Sequence, residues 1–223
     1  MCKLPTVLIQ FDNDIESKAI PFFRGAVIAS LEKSDILFHN HNKENLRYSY
    51  PLIQYKRIHK KAVVMGIGEG VEVISSMLTA GDFNYRIGKE MVEMRIKAVK
   101  TYANEVVLTE NAGLRYRLHD WLPLNSGNYV KYQATESMVA RIQILEHILV
   151  GNILSFLKGV GVHVEEQIDL RITDIKGQRA LVYKNVKLMA FDIEFRTNIT
   201  FPQYIGIGKN ASVGCGVLTK VTI

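Results

Sequence analysis

Within the first hundred residues, apolar runs with strand character and apolar stripes with helical spacing follow one another in a fixed order. Thr6 to Phe11 is a β-rich apolar run closed by Asp12, Asn13 and Asp14. The next segment, IPFFRGAVIASLEK, places Pro21 in a first helical turn, where its missing N–H costs nothing. In it Ile20, Phe23, Val27 and Leu31 share one helical stripe. A polar stretch, HNHNKENLR, interrupts the pattern and cannot be core. Two strand-like runs follow, YPLIQYKRI and KAVVMGI, separated by His59 and Lys60. Gly66, Gly68 and Gly70 lead into VEVISSMLTA, a short helix, and a further strand is expected around Gly88 to Lys100. The order β-α-β-β-α-β is the split-βαβ, ferredoxin-like plan.

The pattern weakens between Tyr102 and Gly113, so the first domain is expected over residues 1–105 and a second over 106–223. The second half opens on the strand-like LRYRLHDWLPL. Ser137 to Leu157 then reads as a helix, with Met138, Ile142, Leu145, Leu149, Ile153 and Phe156 at helical spacing and Gly159 and Gly161 ending it. IDLRITDIKGQRALVYKNVKLMAFDIEFRTNI reads as two or three antiparallel strands with Gly177 at the first turn. A glycine-rich stretch and a last strand, VLTKVTI, close the chain. The expected fold is therefore α+β: two tandem ferredoxin-like (RRM-like, split-βαβ) halves. In the second, a C-terminal glycine-rich loop stands where the second helix is missing.

Composition narrows the chemistry. Two cysteines, Cys2 and Cys215, are too few for a disulfide framework or a four-thiolate zinc site. No stretch reaches the roughly 18 unbroken apolar residues of a membrane helix, and the N-terminus lacks a signal-peptide pattern. The reading is a cytoplasmic protein with no membrane contact. Against 22 acidic residues stand 28 basic ones, a net charge of +6 that permits phosphate binding without proving it.

Three stretches could carry chemistry. YIGIGKNASVGCG contains Gly206, Gly208, Gly214 and Gly216 with Lys209, and its glycines would let backbone N–H groups approach an anion. It fits neither the dinucleotide fingerprint nor the Walker A spacing, and a purely structural hairpin explains it equally well. MGIGEG follows a strand and precedes a helix, but a tight turn accounts for it better than a nucleotide site does. The third stretch, LFHNHNKENLRYSYPLIQYK, sets His39 and His41 two residues apart in a polar segment with Arg47 and Lys56 nearby. In extended chain such residues lie about 6.6 Å apart on one side. Histidine titrates near neutrality, so one ring can accept a proton while its neighbour donates one. RNA cleavage through the 2′-OH needs that pair of transfers, with cations stabilising the phosphorane. Two solvated loop histidines, or a metal site lacking its third ligand, remain the alternatives at this point.

FFRGAVI, LFHNH, YPLIQYK with AVVMGIG, and YIGIGKNASVGCGVL, in that order, resemble the CRISPR-associated repeat-RNA endoribonucleases, the sixth Cas family. The likeness is greatest to the subgroup with two closely spaced histidines. The resemblance spans nearly the whole chain and implies tandem ferredoxin-like domains, cleavage of repeat transcripts with no metal or other cofactor, and retention of the product. It places the catalytic pair at His39 and His41 and the glycine motif at Gly206, Gly208, Gly214 and Gly216. Arg47, Lys56, Lys60 and Lys209 are added as RNA contacts on chemical grounds. The implied partner is CRISPR repeat RNA, with other subunits of an interference complex and a second copy of the chain as further candidates. A non-catalytic RNA-binding subunit on the same scaffold is the rival function.

Overall fold

A computed structural model of the chain describes residues 3–30, 50–110, 112–183 and 186–221. Two compact units divide it, one of Cys2–Glu105 with Ser212–Gly214, the other of Val106–Ala211 with Cys215–Ile223.

The N-terminal unit runs β1 (Lys3–Asp14), α1 (Ile20–Ala29), β2 (Ile53–Ile58), β3 (Lys61–Ile67), α2 (Gly70–Ala80), β4 (Asn84–Ile87), β5 (Glu90–Glu93) and β6 (Ile96–Glu105). Its main sheet has the order β2-β3-β1-β6, antiparallel throughout. Strand β1 is central and buries residues on both faces, which is why it reads as a nearly unbroken apolar run. Phe11 faces α1, where Phe23 meets it ring to ring at 5.8 Å and meets Tyr55 of β2 at the same distance. Pro21 lies in the first turn of α1, and the helix buries Ile20, Phe23, Ala26 and Val27. These are edge-on aromatic contacts, each worth about 0.5–1.5 kcal/mol beyond burial.

The β2–β3 hairpin turns on His59 (φ 49°) and Lys60 (φ 70°). Two positive φ values are what the twist of a two-residue hairpin demands, although residues with a Cβ seldom supply both. At the other end of β3, MGIGEG is a tight turn. A Cβ on Gly66 would stand 2.6 Å from the Gly70 carbonyl oxygen, and one on Gly70 would collide with that of Leu52.

The single strand expected over Gly88 to Lys100 is two strands. β5 pairs with β4 as a separate hairpin, Met94 turns inward, and β6 starts at Ile96. Asn13 causes the break: its Nδ2 donates to the Glu93 carbonyl at 3.0 Å and its Oδ1 accepts from the Arg95 N–H at 2.9 Å.

The C-terminal unit runs β7 (Leu114–Trp121), α3 (Ser126–Ala134), α4 (Met138–Gly159), β8 (Leu170–Tyr183), β9 (Val186–Thr197) and β10 (Val217–Lys220). Its sheet order is β10-β7-β9-β8, again antiparallel. In both sheets the first strand sits between the third and the last, so the two halves share one ferredoxin-like plan. Where a second helix would follow β9, residues 198–216 form the glycine-rich loop with one short 3-10 turn, Ala211–Val213.

Helix α4 begins at Ser137, whose side chain accepts from the Ala140 N–H, and buries Leu145, Leu149, Ile153, Phe156 and Leu157. It is long and apolar enough to cross a membrane by length and composition alone. Here it is the core helix of its unit, interrupted by Arg141, Glu146, His147 and Lys158. Glu146 caps the β8 edge by accepting the Ile172 N–H at 2.9 Å. Gly177 is not a turn. It lies inside β8 beside a register shift between Ile175 and Gly177, the second such shift after one between Ile172 and Asp174. Glycine within a strand commonly marks a bulge, and β8 continues past it to Tyr183.

Candidate nucleic-acid interface

His39, His41 and Arg47 lie outside the described residues. The other proposed contacts divide between the two units.

In the N-terminal unit, β2 is the edge strand of its sheet, and Ser212–Gly214 belong to this unit. A Cβ on Gly214 would stand 3.5 Å from the Tyr55 carbonyl oxygen and 3.8 Å from Lys56 Cα. The fold therefore brings Gly214 and Lys56 together across 158 residues of sequence, as the difference of their numbers gives. Gly214 has room for a Cβ but a φ of 88°, so backbone geometry rather than crowding favours glycine there. Lys56 is fully buried and engaged within the chain. It alternates with Tyr55, whose hydroxyl pKa is pushed up by burial. Lys60, in the hairpin turn, is exposed.

In the C-terminal unit the rest of the glycine-rich loop packs through its backbone. Ile205 and Ile207 are completely buried, while Lys209 is exposed. The Ile207 N–H donates to the Gly216 carbonyl at 2.8 Å, and the Gly216 N–H donates to the Asp120 carbonyl at 3.1 Å. A Cβ on Gly206 would meet Ala211 at 2.9 Å, and one on Gly216 would collide with the Ile207 carbonyl oxygen. Gly208 lies against the side chains of Trp121 and Asn152, at 2.9 Å and 2.8 Å from the position of a Cβ. Gly206 and Gly216 are thus needed for packing whatever the loop binds.

Three residues behind the loop had no motif to announce them. The Trp121 indole N–H donates to Asn152 Oδ1 at 3.0 Å, making a flat polar wall for Gly208. Asp120 adopts φ 52° in an irregular stretch of β7, its N–H donating to Asp192 Oδ1 at 2.8 Å and its carboxylate held by Arg179. That conformation aims the Asp120 carbonyl at Gly216. Sequence distance hides all of this: β7, α4 and the loop each supply one piece. Asn152→Leu should leave the buried indole N–H without its acceptor and cost about 1–3 kcal/mol, read by urea unfolding.

The neighbouring His119 shares a hydrogen bond of 3.1 Å with Thr219 Oγ1. Burial holds its pKa below the ordinary histidine value, which favours the neutral ring. Among the described residues no group of three His, Cys, Asp or Glu side chains is placed to hold a metal ion.

The comparison with known families decides the identity. The Cas6b N-terminal domain matches residues 2–105, and the Cas6b C-terminal domain matches residues 108–221. The chain belongs to the Cas6b family. The resemblance carried by LFHNH and the glycine-rich loop holds at that level, and the sixth Cas family is the right one. A crystal structure of a Cas6b is similar at TM-score 0.90 with 27% identity, covering 99% of this chain and 100% of that one. That of a CRISPR RNA processing endoribonuclease Cas6b is similar at TM-score 0.76, again at 27% identity and with the same coverage. Csf5, a type IV Cas6 crRNA endonuclease, matches over 99% of this chain and 100% of its own at TM-score 0.60 and 11% identity, which is a likeness of fold. An uncharacterised protein of Methanocaldococcus jannaschii is 33% identical over 123 residues, 55% of this chain and 82% of that protein.

Proposed function

We propose that this Cas6b family member is an endoribonuclease that cleaves CRISPR repeat RNA without a metal, using His39 and His41 as its proton-transfer groups. Membership of the Cas6b family along nearly the whole chain carries the reading of substrate and activity. The solved relative described as a CRISPR RNA processing endoribonuclease supports it. The finer mechanism rests on the H-x-H pair. One imidazole removes the proton of the 2′-OH, the oxygen attacks the adjacent phosphorus, and the other imidazole protonates the departing 5′-oxygen. The pair already supplies a base and an acid, so the nucleophile needs no metal to activate it. The products are a 2′,3′-cyclic phosphate and a 5′-hydroxyl.

The exposed Lys60 and Lys209 are the cations this reading offers to RNA phosphates, and Gly208 and Gly214 are the loop positions from which backbone N–H groups would approach. Arg47 adds charge six residues beyond His41. We place the work in the cytoplasm, on repeat transcripts.

Incubating the purified protein with repeat RNA, with and without excess chelator, tests the reading. Cleavage should be equal in both, and the upstream fragment should resist 3′-end labelling until its cyclic phosphate is opened and the resulting phosphate removed. Cleavage abolished by chelator would overturn the metal-free mechanism. Binding without cleavage under all conditions would favour the non-catalytic RNA-binding role.

A further inference from the structure

We propose that Arg115, Arg196 and Arg171 form a phosphate-binding row on the open face of the C-terminal sheet, which grips the sugar-phosphate backbone of the repeat RNA. The proposal rests on the RNA-processing reading given above and adds a binding site to it.

The register of the sheet makes the row. Arg115 of β7 is the direct cross-strand partner of Arg196 of β9, and Arg196 is in turn the direct partner of Arg171 of β8. Residues directly opposite in adjacent strands point to the same face. Their neighbours fix which face that is. Tyr116 and Phe195, one residue along, are buried and stack towards Phe201 and the α4 residue Phe156. Arg115 and Arg196 therefore point away from the helices, while the guanidinium of Arg171, on the edge strand β8, lies 3.4 Å from Glu146 of α4. Adjacent strands lie about 4.8 Å apart, so the three Cα atoms span about 10 Å in a line.

Such a row does not help the fold. Like charges directly opposite one another destabilise a sheet, and the carboxylates nearby are largely committed elsewhere. Glu194 is held by Arg117, through Nε at 3.1 Å and through Nη2, with Arg115 farther off at 3.7 Å. The close contact with Arg117 holds the Glu194 carboxyl below the ordinary carboxylate range. Asp174 is paired with Lys176 at 2.6 Å. Arg171 reaches Glu146 at 3.4 Å but keeps 76% of its side chain exposed. Asp169, two residues earlier, makes no ion pair with any of the three among the described residues. Arg196 is exposed and has no ion pair or hydrogen bond among the described residues.

A central strand thus presents an unpartnered guanidinium flanked by two more. Guanidinium groups pair with phosphate through two parallel hydrogen bonds. A line of three suits successive phosphates of one strand better than a single small anion, which one arginine would satisfy. The occupant we commit to is RNA. A row serving an acidic protein surface instead would leave RNA affinity untouched.

The test measures the affinity of the full chain for repeat RNA carrying a 2′-deoxy scissile nucleotide, by fluorescence anisotropy across a salt series. Each single-strand phosphate contact contributes about 0.7 to the slope of log K against log salt. R196Q should flatten the slope by about 0.7, and the triple variant R115Q/R171Q/R196Q by about 2. At 0.1 M salt those changes correspond to roughly fivefold and roughly 100-fold weaker binding. R196K should keep most of the slope. Melting temperature should be unchanged or higher in R196Q, because a repulsion is relieved. A triple variant with wild-type affinity and slope overturns the row. So does weaker binding with an unchanged slope and a lowered melting temperature, the signature of a structural role. Wild-type protein that shows no salt-dependent RNA binding removes the RNA-processing reading itself, and the row with it.

Discussion

Changing both His39 and His41 to alanine should slow cleavage of repeat RNA by about 10²–10⁴-fold while leaving its affinity nearly unchanged. Either single change should fall in the same range. Because the two rings serve one proton-transfer scheme, the double change should cost little more than the worse single one. Removing the 2′-OH at the scissile nucleotide should stop the reaction from the substrate side, again with binding retained. The wild-type rate should vary between about pH 5 and 8, where unperturbed histidine titrates, and the double variant should lose that dependence. Single-turnover kinetics with excess protein read all of these together. A double variant that cuts at the wild-type rate would remove the pair from the mechanism.

The second large effect concerns stability. Gly216→Val should destabilise the C-terminal unit by about 4 kcal/mol or more, the range reserved for broken backbone packing. Two causes add. A Cβ at this position collides with the Ile207 carbonyl oxygen, whose residue is hydrogen-bonded back to Gly216, and φ is 62°. A β-branched residue is least able to adopt that conformation. Gly214→Ala is the contrast: nothing lies closer than 3.5 Å, so only the φ of 88° opposes it, and a cost of about 1–2 kcal/mol is expected. Urea unfolding of the two variants separates them. If Gly216→Val melts with the wild type, the loop is not packed as described.

The fold was legible wherever a segment had one dominant period and one face to bury. The run from Thr6 to Phe11, the stripe around Phe23 and the long helix after Ser137 each announce themselves. Local exceptions did not. Helix α3, SGNYVKYQA, has almost no apolar stripe and is marked only by Asn125, whose side chain caps the Asn128 N–H at 2.8 Å. The break at Arg95 depends on Asn13, 82 residues earlier, and no local pattern reports it. Gly177 offered the same signal for a turn or a bulge, and pairing with β9 decided for the bulge.

The candidate site was legible mainly as chemistry. His39 and His41 stood out by spacing, and the glycines by density. What the glycines are for could not be read, because Gly206 and Gly216 face carbonyls and side chains from the loop itself, while Gly208 faces Trp121 and Asn152. Lys56 looked like a surface cation because its neighbours are polar, yet β2 buries residues on both faces. The arginine row was invisible for a related reason. Arg115, Arg171 and Arg196 are unremarkable singly, and only strand register puts them abreast.

The assignment of Ser212–Gly214 to the N-terminal unit has a consequence for synthesis on the ribosome. The N-terminal sheet can form once Glu105 has emerged, but the piece that lies beside its β2 edge is translated roughly a hundred residues later. At about 5–20 residues per second that is a delay of some 5–20 s. During that interval the nascent chain carries an open strand edge, the kind of surface that recruits other chains. The polar turn at His59 and Lys60 and the exposed Arg57 then guard an edge beside which Gly214 later comes to lie.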